Sequence, residues 1–420
     1  MIAAVVRAMK EPQRPGAVRA LALLLALNIL CYLDRYILAA VEPEIRHAFF
    51  APDDPDAMAK TGALATAFLV SYMILAPLFG WLADKHSRWA IIGAGAAIWS
   101  LATAGSGLAP TFGILLAARI LVGAGEAAYG PAAPTLLSDL FPPARLGLVL
   151  AWFFAAIPFG SAVGYLFGGA MAGAFGWRAP FHFAAIPGLL LAGLCLLTKE
   201  KRPAGKARRR ATIEDYRGLI RIPSYLYNVG AQTAMTFAIG GMSFWAPAYF
   251  YEQRGQADLE RVNLIFGGIT AVAGLIATVL GGWLGDWLSK RFTGAYFHVS
   301  GCGMLLAFPC TLAMLYTPFP LAWLFCFLAV FFLFFNIGPA NTAIANVTKP
   351  EVRATAFAVA IFIMHALGDA ISPSLIGAVA GRWNLNIGFL VVSFMMLIAG
   401  LLWLAGARFL GPDAAKAARQ

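Results

Sequence analysis

Apolar residues fall along this chain in long continuous runs, with neither the strict alternation of a strand nor the single stripe of a surface helix. A run of about 20 apolar residues is what a helix needs to cross the hydrocarbon of a bilayer. Polar, Gly- and Pro-bearing segments separate the runs. The pattern predicts twelve spans, over 18–41, 62–83, 89–109, 111–135, 146–171, 180–198, 225–250, 262–285, 295–317, 320–347, 354–380 and 385–408. Six lie on each side of a polar stretch. The expected organisation is an N-terminal six-helix bundle (1–198), a cytoplasmic basic linker (199–224) and a C-terminal six-helix bundle (225–420).

Composition agrees with this all-α polytopic plan. Of the 420 residues, 60% are hydrophobic and only 12% charged, and mean hydropathy is +0.75, far from a soluble domain. A net charge of +11 invites a nucleic-acid reading, which the distribution opposes. With both termini placed in the cytoplasm, 23 of the 31 Lys and Arg residues fall on inner segments and six on outer ones. That bias is the positive-inside signature of a multi-pass membrane protein. Nine of the inner cations sit in the linker, among them Arg208, Arg209 and Arg210. They suit a solvated linker or contact with anionic lipid head groups. The first apolar run contains Asp34 and Arg35, unlike a cleavable signal peptide. The five cysteines lie within spans at no metal-ligand spacing, so neither metal nor disulfide is expected. Gly123-Ala124-Gly125-Glu126-Ala127-Ala128 fits a relaxed dinucleotide fingerprint but lies inside a span, where small residues serve close helix contact. No P-loop is present, so nucleotide hydrolysis is not proposed and energy must come from a gradient; no cofactor and no enzymatic activity are expected.

A short segment occurs twice. Gly80-Trp81-Leu82-Ala83-Asp84-Lys85-His86-Ser87-Arg88 recurs 202 positions later as Gly282-Trp283-Leu284-Gly285-Asp286-Trp287-Leu288-Ser289-Lys290. Gly130-Pro131-Ala132 recurs as Gly338-Pro339-Ala340, and Arg145 as Arg353, each 208 positions on. Duplicated halves in an apolar chain mark a carrier built from parallel repeats. The repeated positions Gly80, Asp84, Arg88, Arg145, Asp286, Lys290 and Arg353 are the candidate gate. Asp84 is expected to face Arg353 and the start of the eleventh span, and Asp286 to face Arg145 and the start of the fifth. A carboxylate gains there from the helix dipole. Gly160, Gly164 and Gly168 stripe one face of the fifth span for close packing, and Pro158, Pro247, Pro339 and Pro373 can kink their helices.

Ionisable residues inside the bilayer are expensive and call for a reason. The first span carries Asp34 and Arg35. The fourth carries Arg119 and Glu126, which share a helix face about 10 Å apart along the axis, too far for a direct pair but able to bracket a ligand. The eleventh carries His365 and Asp369, one turn apart. Arg35 and Arg119 are candidate sites for an anionic head group, since Arg stays protonated. Glu126, Asp34 and Asp369 are candidates to take up and release protons. Burial and a neighbouring Arg act oppositely on a carboxyl group, so substrate that captures the Arg changes the proton affinity of the carboxyl. Static ion pairs between helices are the competing reading.

Three stretches carry a resemblance: Asn28-x-x-x-Tyr32-x-Asp34-Arg35-Tyr36, Gly125-Glu126-Ala127-x-Tyr129-x-Pro131-x-x-Pro134-Thr135-x-x-x-Asp139-Leu140-Phe141, and His365-x-x-Gly368-Asp369-x-x-Ser372-Pro373. Together with the layout and the repeated loop, they resemble the Spinster family of lysolipid transporters within the major facilitator superfamily. The resemblance implies twelve transmembrane helices and transport of amphiphiles such as lysophospholipids or sphingosine phosphate, with protons as partners. It implies substrate or proton roles for Asp34, Arg35, Arg119 and Glu126. Tyr129, Gln232, Thr236 and His365 are further candidate substrate contacts. An Asp-Arg pair with Gly-Glu-Ala also occurs in organic-anion symporters of the superfamily, so a small anion such as a sugar acid stays open, as does a non-transporting receptor or a scramblase. Phe331, Phe332, Phe334 and Phe335, with Phe153 and Phe154, could line a path for an acyl tail or simply face lipid. Hydroxyl and amide groups for a sugar are few, mainly Gln232, Thr233, Thr236, Asn336 and Asn341. A monomer suffices for such a carrier.

Overall fold

A computed structural model describes residues 16–200, 212–349 and 351–418. Arg208, Arg209 and Arg210 lie outside the described residues. The chain is helical, in the order α1 (Ala17–Ala40), α2 (Glu42–Phe49), α3 (Ala57–Lys85), α4 (Arg88–Leu108), α5 (Phe112–Glu126), α6 (Ala132–Leu140), α7 (Pro143–Phe175) and α8 (Ala179–Leu197). There follow α9 (Ile213–Ile220), α10 (Pro223–Ala248), α11 (Leu259–Ser289), α12 (Ala295–Tyr316), α13 (Leu321–Phe334), α14 (Ile337–Val347), α15 (Arg353–Met364), α16 (Ser372–Arg382) and α17 (Leu385–Ala418). Wider π-turns occupy Tyr249–Gln253 and His365–Asp369.

Among the described residues, ten helical stretches are long and apolar enough to cross a membrane. The fourth span and α10 complete the expected twelve. Two spans expected to be continuous are broken. The fourth, expected over 111–135, stops at Glu126 and restarts at Ala132; the tenth, expected over 320–347, stops at Phe334 and restarts at Ile337. Pro131 and Pro339 stand at the restarts, where proline has no N–H to continue the preceding ladder. The Glu126 carbonyl freed by the first break accepts the Tyr129 N–H at 2.9 Å, as backbone at membrane depth requires. Pro373 likewise opens α16 after a π-turn rather than kinking a continuous helix. The segment expected as the linker, 199–224, contains a short helix, α9. The twelfth span runs on to Ala418 through Asp413-Ala414-Ala415-Lys416-Ala417-Ala418, whose alanines favour helix strongly.

Two compact units emerge: Met1–Pro52, Ala63–Ala207 and Gln256–Gly267 in the first, and Asp53–Gly62, Arg208–Gly255 and Gly268–Gln420 in the second. They follow the sequence halves except that each takes in one segment of the other half. In the first unit, Asn263 on α11 donates to the Ala40 carbonyl at 2.9 Å.

Packing inside each unit relies on small residues, because lipid tails give apolar helices no reason to prefer one another. A Cβ on Gly160 would lie 2.7 Å from the Ile29 carbonyl, and one on Gly164 2.7 Å from the Leu33 carbonyl, so the glycine stripe of α7 lets it ride directly on the α1 backbone. Gly125 sits equally close to the Gly95 carbonyl of α4. Outward faces carry large side chains such as Ile74, Leu190 and Val279, each at least 66% exposed. The polar side chains turn inward, which sets the position of the site.

Candidate functional site

In the first unit, Asp34 and Arg35 of α1 and Arg119 and Glu126 of α5 come together in crossed pairs. The Nε and Nη2 of Arg35 both donate to Glu126 Oε2, at 2.9 and 2.7 Å. Arg119 Nη1 donates to Asp34 Oδ2 at 3.1 Å. Adjacent residues on α1, about 100° apart around the axis, thus reach two residues of α5 that are nearly two turns apart. The reading that Arg119 and Glu126 would bracket a ligand between them is revised accordingly. Each is committed to a partner on α1, and neither arginine stands as a free positive charge.

The two pairs are unequal. Asp34 and Arg119 are sealed, with side chains 3% and 1% exposed, and Thr103 on α4 donates its hydroxyl to Asp34 Oδ1 at 2.9 Å. Arg35 is 22% exposed while its partner Glu126 is 1% exposed. Glu126 Oε1 and Arg119 Nε have no hydrogen-bond partner. The buried carboxyl of Glu126 is therefore held through one oxygen only, by a cation that can reach solvent. Aromatic rings line this region. The Arg35 guanidinium lies 4.7 Å from the Phe68 ring centroid, 5.0 Å from Tyr32 and 5.5 Å from Tyr72. Phe68 also lies 5.5 Å from the Arg119 guanidinium. Sequence reasoning missed Thr103, Phe68 and Tyr72, because nothing in the local sequence ties α3 or α4 to the charges. The hydroxyl of Tyr129, a candidate substrate contact, donates to the Leu24 carbonyl at 2.7 Å and ties the α5–α6 turn to α1.

In the second unit, the π-turn at His365–Asp369 places the two side chains together, with His365 Nδ1 2.9 Å from Asp369 Oδ1. They are 30% and 20% exposed, more open than the first-unit pairs. Gly368 lies 3.0 Å, measured from a built Cβ, from the Thr233 carbonyl, and Gly240 packs against Asp369, so α10 supports this pair through glycine contacts. Gln232 is buried with its Nε2 unsatisfied, and Thr236 is 9% exposed. Asn336, in the break between α13 and α14, is fully buried and donates to the Leu333 carbonyl, whereas Asn341 is exposed and donates to Ile337 of its own helix. Phe331 stacks on Phe327 and packs at a tilt against Phe335, at centroid distances of 6.5 and 5.5 Å. Phe154, by contrast, is 53% exposed.

The duplicated loops differ in how they are held. Arg88 is 8% exposed. Its Nε donates to Glu200 Oε1 at 2.7 Å and its Nη2 to Asp139 Oδ2 at 2.5 Å, while its backbone N–H reaches Glu200 Oε2. A carboxylate thus sits at the start of α4, where the free N–H groups favour it. Asp139 and Glu200 are partners that the motif alone did not name. In the second loop, Asp286 accepts from the Tyr296 hydroxyl at 3.0 Å, and Lys290 is exposed. Arg353 donates to the Thr348 carbonyl at 3.3 Å. Gly80, Asp84 and Arg145 lie at helix ends of the first unit.

The family model for the Major Facilitator Superfamily matches residues 24–373. The chain is 33% identical to the sphingosine-1-phosphate transporter SPNS2 of Xenopus tropicalis, across 93% of this chain and 81% of that protein. It is 34% identical to protein spinster homolog 1 of Homo sapiens, across 93% and 79%. Among solved structures, it superposes with a TM-score of 0.81 on an inward-facing, unoccupied bacterial homolog of the human lysosomal transporter Spinster. That match has 21% identity and covers 97% of this chain and 99% of the other.

Proposed function

The chain belongs to the Major Facilitator Superfamily and to the Spinster proteins within it, and from that membership we propose that it carries an anionic amphiphile, a lysophospholipid or a sphingolipid-like phosphate, by proton-coupled alternating access. The observation that carries this reading is the inequality of the crossed pairs. Asp34–Arg119 is sealed and braced by Thr103. Arg35–Glu126 joins a reachable cation to a buried, half-satisfied carboxyl.

An incoming phosphate competes for Arg35, whose planar fork suits phosphate oxygens. As Arg35 turns to it, Glu126 is left buried without a cation. An uncompensated buried charge costs several kcal/mol, so Glu126 takes up a proton. Substrate and proton then load together, and both leave when Arg35 returns to the carboxylate. Asp34 and Arg119 hold α1 against α5 during the exchange. Asp369, with His365, is a second proton-binding candidate, and the phenylalanines of α13 offer apolar surface for an acyl tail. The duplicated loops, with Asp84, Arg88, Arg145, Asp286, Lys290 and Arg353, serve as the inner gate. The protein works as a monomer, with both termini on the cytoplasmic side of a bacterial inner membrane.

Uptake of labelled lysophosphatidate into proteoliposomes under an imposed pH gradient tests the reading. In Glu126→Gln the gradient dependence disappears while lipid binding stays within about fivefold of wild type, because the amide cannot exchange a proton. Gradient-driven uptake that persists unchanged in Glu126→Gln contradicts the assignment.

A further inference from the structure

The duplicated loops set their cations in opposite surroundings. Arg88 of the first is nearly buried and held by Asp139 and Glu200. The matched cation of the second, Lys290, is exposed, and so is Arg291 beside it. Among the described residues neither is paired with a carboxylate. The nearest acid in the loop, Asp286, accepts from the Tyr296 hydroxyl instead. The helix leading to these cations is one-sided. Ile276, Val279, Trp283 and Trp287 recur every three or four residues, so they share a face of α11. Each is at least 40% exposed. The two indoles stack at a centroid distance of 6.3 Å and an interplanar angle of 15°. The Arg291 guanidinium lies 3.7 Å from the Trp287 ring. From bilayer depth outward the face therefore reads aliphatic, aromatic, cationic.

We propose that this face of α11, with Lys290 and Arg291, is a docking surface for an anionic phospholipid of the surrounding bilayer. The phosphodiester rests on the two cations, and one acyl chain lies along the indoles, Val279 and Ile276. An interfacial tryptophan alone would be ordinary belt chemistry. Here a stacked pair carries an arginine on its outer ring. A guanidinium laid on an indole keeps its in-plane N–H groups for a phosphate oxygen. This lipid is a neighbour of the carrier and not its cargo, so the site stands whatever the chain transports.

The surface is preformed. A Cβ on Gly294 would lie 3.2 Å from the Ala407 carbonyl, and one on Gly411 2.7 Å from the Thr293 hydroxyl. The turn after Arg291 is thus seated on α17 and holds the two cations at the helix end. The first half lacks this arrangement. Trp81 matches Trp283 and is 49% exposed, but Lys85 stands where the second half has Trp287. Lys85 Nζ lies 3.8 Å from the Trp81 ring, leaving one ring and one cation, with Arg88 already neutralised. Anionic and zwitterionic lipids are separated by the charge of the headgroup. A phosphatidylcholine brings its own ammonium to a site that already has two uncompensated cations. A phosphatidylglycerol brings only the phosphate.

The test reconstitutes the purified full chain with phosphatidylglycerol or phosphatidylcholine brominated on one acyl chain and reads quenching of tryptophan fluorescence. The part of the quenching that disappears in Trp283→Phe/Trp287→Phe reports this face. In the wild type that part half-saturates at an about tenfold lower mole fraction of phosphatidylglycerol than of phosphatidylcholine, as two surface cations provide. In Lys290→Gln/Arg291→Gln the two curves coincide. Arg217→Gln/Arg221→Gln, which removes two exposed cations at α9, keeps the difference. Coincident curves in the wild type, a difference that survives Lys290→Gln/Arg291→Gln, or one lost equally in the α9 variant overturns the site. Displacement of the lipid by glycerol 3-phosphate also overturns it, since a soluble anion would then be the ligand. Native mass spectrometry of the wild type needs no variant, so misfolding does not blunt the test. It is expected to retain phosphatidylglycerol on a single chain in preference to phosphatidylcholine. Equal retention, or a dimer in which neither lipid quenches this face, contradicts the proposal.

Discussion

The two halves of the chain repeat one plan and fill it with different chemistry. The fourth span breaks after Glu126 and the tenth after Phe334, and the repeat offset of 208 places these two residues in register. The same offset matches Arg119 with Phe327. α1, which opens the first half, carries Asp34 and Arg35, whereas α10, which opens the second, carries no Asp, Glu, Lys, Arg or His. The second half has its own ionisable pair, His365 and Asp369, where the first has Ile157 and Ser161. What the halves share is backbone packing. Gly160 and Gly368 occupy matched positions, each against a carbonyl of the helix that opens its half. Duplication thus preserved the contacts that let helices approach closely and freed the buried polar positions to diverge. On the proposed function, the first half reads the charged headgroup and the second supplies aromatic surface to the tail.

If that division holds, matched substitutions in the two halves give unequal results. The largest contrast is expected at Arg119 and Phe327. Arg119→Leu leaves Asp34 buried without its cation, held by the Thr103 hydroxyl, and costs about 3–5 kcal/mol. Phe327→Leu is a modest apolar change of less than about 1.5 kcal/mol. Thermal unfolding in detergent reads both, and equal losses would break the contrast. Next come the shared glycines. Gly160→Ala drives a methyl to 2.7 Å from the Ile29 carbonyl, and Gly368→Ala to 3.0 Å from the Thr233 carbonyl. Both destabilise by about 1–3 kcal/mol, with Gly160→Ala the larger.

Transport gives a smaller, more selective contrast. Phe331→Ala/Phe335→Ala lowers uptake of a long-chain lysolipid about tenfold and that of a short-chain analogue less than about twofold, since the rings contribute by burying methylene groups. A loss independent of chain length would place these rings outside the tail path. The smallest effect is expected at His365→Gln. Its pair with Asp369 is partly open to solvent, so stability changes by less than about 1 kcal/mol. The pH profile of uptake in that variant shows whether the second half adds a proton site of its own.

The spans, the repeat and the charged residues were legible in the sequence because each is a local pattern: a run of apolar residues, a nonapeptide, an ionisable side chain where none belongs. Their pairing was not. Helical spacing places Arg119 and Glu126 on one face, which suggests a ligand between them, and only the approach of α1 shows that Asp34 and Arg35 fill that face. Thr103, Phe68, Asp139 and Glu200 were hidden for the same reason. An ordinary threonine, phenylalanine or surface carboxylate acquires its role from a helix distant in sequence. The breaks at Glu126 and Phe334 had a signal in the duplicated Gly-Pro-Ala, which reads locally as a kink but acts as a stop and restart.

The central claim is that Arg35 leaves Glu126 for the phosphate of the substrate. Infrared difference spectroscopy of the reconstituted protein on adding lysophosphatidate observes that carboxyl directly. The account predicts a new protonated-carboxyl band, absent in Glu126→Gln, together with loss of a carboxylate band. Lipid binding that leaves the carboxyl region of the wild-type spectrum unchanged would contradict it.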